Sequence, residues 1–164
     1  MTKFIDLIKS QLNYDESTGK FTWKVSNSNR VKVGESAGSL NSNGYITIRI
    51  NGKLYFAHRL AWMIFHGYES IKEIDHIDGC RYNNKISNLR ECTSAQNKWN
   101  QTLKSTNKSG VKGVCWNKRR NKWMARIGAN GKEFFVGYFD SLSEAEVEIL
   151  RYRKSLHGEF YKST

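Results

Sequence analysis

The sequence predicts an α+β fold of antiparallel hairpins and short helices, and two patterns carry that expectation. Asn51-Gly52 stands between two β-favouring runs, residues 45–50 and 53–57, which is a strong local signal for a hairpin. Three further strand-like runs, near 111–117, 122–128 and 132–138, precede an apolar stripe at helical spacing. Proline is absent, so the turns rest on glycine and asparagine, Asn51-Gly52 and Asn130-Gly131 among them.

From the start of the chain, Phe4, Ile5, Leu7, Ile8 and Leu12 recur at helical spacing and predict a helix over 3–13. Residues 15–19 read as a turn, and Phe21, Trp23 and Val25 alternate as a strand does. Residues 26–43 are polar, with room for at most a short strand. After the hairpin, HRLAWMIFH at 58–66 predicts a helix that turns Leu60, Ala61, Ile64 and Phe65 inward and ends at Gly67. Short strands are expected at 71–77 and 89–92, joined by an ordered polar loop, and Thr93 caps a helix over 94–101. The last helix spans 143–156, capped by Ser141 or Ser143, with Ala145, Ile149, Tyr152 and Leu156 as its stripe. The polar stretch before Gly110 is the linker candidate, so the expected domains are 1–103 and 110–164, with a linker at 104–109.

Charge narrows the partner. The 164 residues carry 27 Lys+Arg against 15 Asp+Glu, a formal net charge of +12, which points to a polyanion and to nucleic acid first. The excess is local: residues 110–139 hold seven Lys/Arg and one acid, residues 140–164 four and five. The second sheet is therefore the expected nucleic-acid face. No stretch approaches the roughly 18 apolar residues of a spanning helix, and the N-terminus lacks a signal-peptide core. An intracellular protein with no membrane partner is expected, a monomer or weak dimer with no protein partner evident. Cys80, Cys92 and Cys115 show no paired spacing, so neither structural zinc nor a disulfide is expected.

The chemistry concentrates in EIDHIDGCRYNNKISNLRECTSAQNKWN, residues 73–100. Phosphodiester hydrolysis needs an activated water and a cation for the developing charge. Asp75 and the amide oxygen of Asn97 suit a hard cation. His76 suits the general base, since imidazole titrates near neutrality. The Asn88 amide oxygen could accept from one ring nitrogen and so fix the tautomer. Adjacent strand residues face opposite ways, so Asp75 and His76 share a site only if the strand ends or twists there. Arg59, Arg81, Lys85, Arg90 and Lys98 flank the stretch as phosphate contacts or as solvated charge; His58 reads as structural, with contact to the site as the alternative, Trp62, Trp99 and Phe65 as core, and His66 and His157 as helix ends where a cationic ring suits the dipole.

Asp75-His76, Asn84, Asn88-Leu89-Arg90 and Asn97, with HRLAW at 58–62 and LNYDESTGKFTWK at 12–24, resemble the HNH nucleases, in particular phage and group I intron homing endonucleases. The resemblance covers residues 1–101. It implies a ββα-metal fold, a two-stranded hairpin with a long loop and a helix across it. It also implies a divalent ion, Mg²⁺ or Mn²⁺, because Asn97 stands where many members carry a final His. A phage-encoded member would work in the cytoplasm of a bacterial host.

Residues 110–160 are similar to the DNA-binding domain of plant APETALA/ethylene-response factors, through Ser109–Val114, Lys122–Ile127, Phe135–Asp140, Glu144-Ala145 and His157-Gly158. That resemblance implies a three-stranded antiparallel sheet on one helix, with the sheet in the major groove of double-stranded DNA. Lys112 matches a DNA-contacting Arg of the plant proteins, whereas Cys115, Asn117 and Gly128 depart from their arginines. The candidate contacts are Lys112, Trp116, Lys118, Arg119, Arg120, Lys122, Arg126, Lys132 and Phe135, with Trp123 and Phe139 in the core. Two readings stand beside a DNA endonuclease. A non-catalytic DNA-binding regulator on the same scaffold is disfavoured by the complete Asp75/His76/Asn88/Asn97 set. An RNA-processing nuclease is disfavoured because the deep, narrow A-form major groove would not admit the sheet.

Overall fold

A computed structural model describes residues 2–26, 31–100, 103, 106–129 and 131–160. The chain forms two compact units, Met1–Cys92 and Thr93–Thr164. The division falls ahead of the helix that the sequence reading grouped with the first domain. Lys104 and Ser105 of the expected linker, and Asn130 of the expected turn, lie outside the described residues.

In the first unit, α1 (Thr2–Gln11) buries Ile5 and Ile8, and the chain then enters β1 (Leu12–Asp15), antiparallel to β2 (Lys20–Trp23). The expected helix over 3–13 thus stops early. Leu12 fits both a helical stripe and a strand alternation, and the turn decides between them. The Asp15 carboxylate accepts from the Ser17 N–H and from the Ser17 and Thr18 hydroxyls, which holds its pKa down to about 2. Gly19 completes the turn at φ 73°, the left-handed region.

A three-stranded sheet follows, in the order β3 (Ser39–Leu40), β4 (Ile46–Ile50), β5 (Lys53–Phe56). Asn51 and Gly52 join β4 to β5 with φ of 47° and 82°, both positive, as a type I′ hairpin turn requires. The helix α2 (Ala57–His66) ends at Gly67, whose N–H returns to the Met63 carbonyl. It buries Ala57, Leu60 and Ala61 against β4 residues Ile48 and Ile50 and against Ile8 and Leu12, one contiguous core. Phe65 was expected inward and is 50% exposed; it lies in the last turn at the edge of that arc. Finally β6 (Glu73–His76) and β7 (Leu89–Cys92) pair antiparallel across the loop 77–88.

The second unit opens with α3 (Ser94–Asn100). Its N-terminus is a capping box: Gln96 N–H donates to the Thr93 hydroxyl while the Gln96 amide oxygen accepts from Thr93 N–H. The sheet β8 (Val114–Asn117), β9 (Lys122–Ala129), β10 (Lys132–Phe139) is antiparallel in the order β10-β9-β8 and packs on α4 (Leu142–His157), so the expected three strands and one helix form. Ser141 caps α4 by accepting from Glu144 N–H. Val111, Val114, Ala125, Ala145 and Ile149 make the core, with Trp123 and Phe139 packed against it. The buried stripe of α4 continues through Arg153 and His157 rather than through Tyr152. The described end of the linker, residues 106–109, is a tight turn: Asn107 Oδ1 accepts from Gly110 N–H, and the Ser109 hydroxyl bonds the Val114 carbonyl.

Candidate active site

The site grows from the end of β6. Cross-strand register sets Asp75 opposite Arg90 and His76 opposite Leu89. Successive strand side chains alternate, yet β6 ends at His76 and the Asp75 carboxylate still acts electrostatically on its ring. Arg90 donates from Nε (3.1 Å) and Nη2 (2.9 Å) to Asp75 Oδ2, a charge-assisted pair that fixes the carboxylate. Arg90, expected on phosphate, is thus a carboxylate partner, because the register makes the two direct neighbours. Both Asp75 and His76 are buried.

His76 Nε2 lies 3.2 Å from Asn84 Oδ1. The Asn84 amide nitrogen donates to the Tyr82 carbonyl, which turns the oxygen toward the ring. An amide oxygen only accepts, so Nε2 carries the proton and Nδ1 is the basic nitrogen. Burial lowers the pKa of His76 from its ordinary value; the Asn84 bond and the carboxylates of Asp75 and Asp78 pull the other way, and Arg81 adds to the lowering. A neutral imidazole of fixed tautomer is what a general base needs.

Asn88 was expected to hold this ring, and the structure gives that place to Asn84. Asn88 Oδ1 accepts from Asp78 N–H at 3.0 Å, while its amide nitrogen donates to Asp78 Oδ1 and the Asn83 carbonyl. Standing in the turn just before β7, Asn88 faces the peptide of Asp78 rather than the imidazole. It ties the two ends of the loop together. Asp78 also receives Cys80 N–H and the Asn83 amide.

The first hairpin supports the loop from behind. Tyr14 hydroxyl donates to the Asn84 carbonyl at 2.7 Å. A Cβ on Gly19 would stand 2.4 Å from Lys85 N and 2.5 Å from the Asn84 carbonyl carbon, so only glycine lets the turn reach the loop.

Sequence reasoning favoured structure over contact with the site for His58, and its ring lies 5.0 Å from that of His76, edge to face, and stacks on Phe56. Burial, with His76 and Arg59 nearby, pushes its pKa down to about 3. Its place directly after the Asn51-Gly52 hairpin, at the head of HRLAW, was the sequence signal for it. Arg59, expected on phosphate, instead donates to the Ser70 and Lys72 carbonyls and pairs with Glu69, which fastens the segment after α2.

Asn97 lies half-buried on α3 in the second unit, its N–H bonded to the Thr93 carbonyl. Lys112, expected on DNA, donates from Nζ to the carbonyls of Lys98 and Trp99, the unsatisfied C-terminal end of α3. Trp99 stacks on His157 at 4.2 Å and 6°. His157 is buried with Nε2 on the Gly128 carbonyl, and burial lowers its pKa, so it is not the cationic cap expected.

Of the other expected DNA contacts, Arg126 and Phe135 are direct neighbours on the outer face of the sheet, though Arg126 pairs with Glu133. Lys122 shares that face and pairs with Asp140. Lys118, Arg119 and Arg120 are exposed at the β8–β9 turn, Arg120 over the Tyr138 ring. Trp116 and Lys132 fall on the opposite parity, Trp116 edge to face with Trp123, so the sheet does not gather all the expected contacts on one face. Lys98 is exposed on α3.

Among the described residues no helix is long and apolar enough to cross a membrane. A solved structure titled for DNA binding and cleavage by the HNH homing endonuclease I-HmuI is similar over 93% of this chain and 88% of that chain, at 23% identity and a TM-score of 0.43. Protein 3.8 of Escherichia phage T7 is 40% identical over 87 residues, which cover 53% of this chain and 71% of the relative. A family model described as HNH endonuclease matches residues 55–98, the stretch from β5 through the buried Asp75-His76 pair to α3. With that match and the phage relative, the chain belongs to the HNH endonuclease family.

Proposed function

We propose that this protein is a metal-dependent DNA endonuclease in which His76 is the general base, Asp75 and Asn97 are the protein ligands of one divalent ion, and the C-terminal unit binds double-stranded DNA. The observation that carries the reading is the buried Asp75-His76 pair at the end of β6, with Asn84 Oδ1 3.2 Å from His76 Nε2. Nδ1 of His76 takes the proton from the attacking water, and Asn84 holds the ring in the tautomer that permits it. Asn88 is a positioning residue that acts through the loop. A carboxylate and an amide oxygen are hard donors that fit Mg²⁺ or Mn²⁺, and Arg90 on Asp75 Oδ2 keeps that carboxylate oriented. Such an ion supplies Lewis-acid charge for the phosphate and the leaving oxygen. In the C-terminal unit, the exposed Lys118, Arg119, Arg120 and Lys98 with the Arg126/Phe135 face are the contacts we assign to DNA, in the manner of the plant sheet domains it resembles.

The test is supercoiled plasmid with Mg²⁺, Mn²⁺ or EDTA, using the wild-type chain and His76→Ala. Nicked circles that need the ion are expected, with cleavage by His76→Ala reduced by roughly 10²–10⁴-fold while duplex binding in EDTA stays within about two-fold. Equal cleavage by the two proteins would remove His76 as the base.

A further inference from the structure

The first unit holds a cavity of about 1040 Å³ away from the His76 ring. Its walls are the stretch 18–22 that enters β2, the turn 34–38 with Leu40, Ile46 of β4, and the loop 80–85. That loop is the one whose Asn84 bonds His76 and whose backbone Gly19 supports. The cavity therefore shares a wall with the catalytic imidazole.

Its lining has a definite chemistry. Lys20 and Lys85 stand on it, and no carboxylate does. Neither ammonium meets a carboxylate among the described residues. Phe21, Leu40 and Ile46 give it apolar surface, and the Tyr82 ring stands 64% exposed at its side. Hydroxyls and amides of Thr22, Ser36 and Asn83 complete it. A lone phosphate would use the lysines and leave the apolar wall and the ring unexplained. A base joined to a phosphodiester uses all three: the ring face for stacking, the apolar wall for its other face, the ammonium groups for the backbone. The cavity is at the upper end of small-molecule pockets, which span roughly 300–1,000 Å³, so it suits a short run of unpaired nucleotides and not an intact duplex.

We propose that this cavity binds unpaired nucleotides of the DNA strand next to the cleavage point, with Tyr82 as the stacking platform and Lys20 and Lys85 on the flanking phosphates. The inference rests on the DNA-cleaving reading for the origin of the strand, and on the lining alone for its binding. It assigns to the nuclease unit a preference for locally opened or distorted DNA.

The experiment is fluorescence anisotropy in EDTA, where no cleavage occurs, on the full chain with His76→Ala as background. The probes are a single-stranded oligonucleotide, the matching duplex, and an RNA strand of the same sequence. Tyr82→Ala is expected to weaken the single-strand probe by roughly ten-fold and the duplex by less than about two-fold, with Tyr82→Phe restoring the wild-type value. Tyr82 is exposed, so its removal leaves the core intact; an unchanged thermal midpoint checks this, and the charge reversal Lys20→Glu gives an independent loss. Equal weakening of both DNA probes, no weakening, or tighter binding of the RNA strand would overturn the proposal. Because binding is read without cleavage, a protein that binds the single strand but never nicks would sink the nuclease reading and keep the single-strand site, without its place beside a cleavage point.

Discussion

His76 and His157 make a controlled pair. Each is a buried imidazole whose Nε2 lies 3.2 Å from an amide-type oxygen, Asn84 Oδ1 for the first and the Gly128 carbonyl for the second. Burial lowers the pKa of both. Their surroundings differ. His76 ends a strand beside Asp75 and in front of a loop, and its oxygen comes from a side chain. His157 ends a helix, lies flat on Trp99, has Arg153 and Lys112 as its charged neighbours, and takes its oxygen from the backbone. The lowered pKa therefore does not separate the two rings; the carboxylates of Asp75 and Asp78 and the side-chain acceptor of Asn84 are what differ around His76.

The comparison breaks most readily where the loop is supported. Gly19→Ala puts a Cβ 2.4 Å from Lys85 N at φ 73°, so roughly 2–4 kcal/mol of stability should be lost. Urea unfolding measures the loss, and imidazole NMR signals should shift for His76 and stay put for His157. Asn84→Ala comes next: with the tautomer no longer fixed, cleavage should fall by roughly 10–100-fold, while affinity for duplex DNA stays within about two-fold. Nicking rates at saturating protein decide it; a rate within two-fold of wild type would return Asn84 to a purely structural role.

The smallest effect sharpens the comparison from the other side. The folded pKa of His157 lies below its ordinary value of 6.5, so the unfolded chain takes up the proton first as pH falls. The stability tied to a neutral His157 is whole above about pH 6.5 and is lost as pH drops below that value toward the folded pKa. Urea midpoints of wild type and His157→Gln should therefore converge as pH falls from 7.5 to 5. Midpoints that stay parallel would mean the ring is not held neutral.

Much of this was legible in local signals. Asn51-Gly52 placed the β4–β5 hairpin, Gly67 ended α2, and the strand runs near 111–117, 122–128 and 132–138, with Ala145 and Ile149 of the stripe, placed the second sheet and its brace. The Asp75-His76 pair lies buried at the end of β6, inside the stretch that the family model matches. Three features escaped because the residue types allowed more than one role and the folded backbone chose between them. Leu12 satisfied two periodicities, and only the Asp15 turn chose the strand. Asn83, Asn84 and Asn88 are chemically equal, and the loop backbone alone decides which amide meets the ring. Lys112 was expected on DNA because it matches a DNA-contacting Arg of the plant domains, whereas the bare carbonyls at the end of α3 claim it. The Tyr82 cavity is built from four stretches up to 67 positions apart, from Thr18 to Lys85, and has no motif at all.

The anchorage of α3 bears on how such a chain can be recombined. Lys112 caps this helix, His157 stacks on its Trp99, and Asn100 is buried, so its C-terminal end depends on residues that follow the polar stretch at 104–109. Grafting a foreign targeting module at that convenient seam would leave Asn97 on a helix stripped of its moorings. A graft at Thr93, where the compact units divide, would carry the helix with its anchors, and any lineage that swaps modules must move the two together or rebuild the clasp.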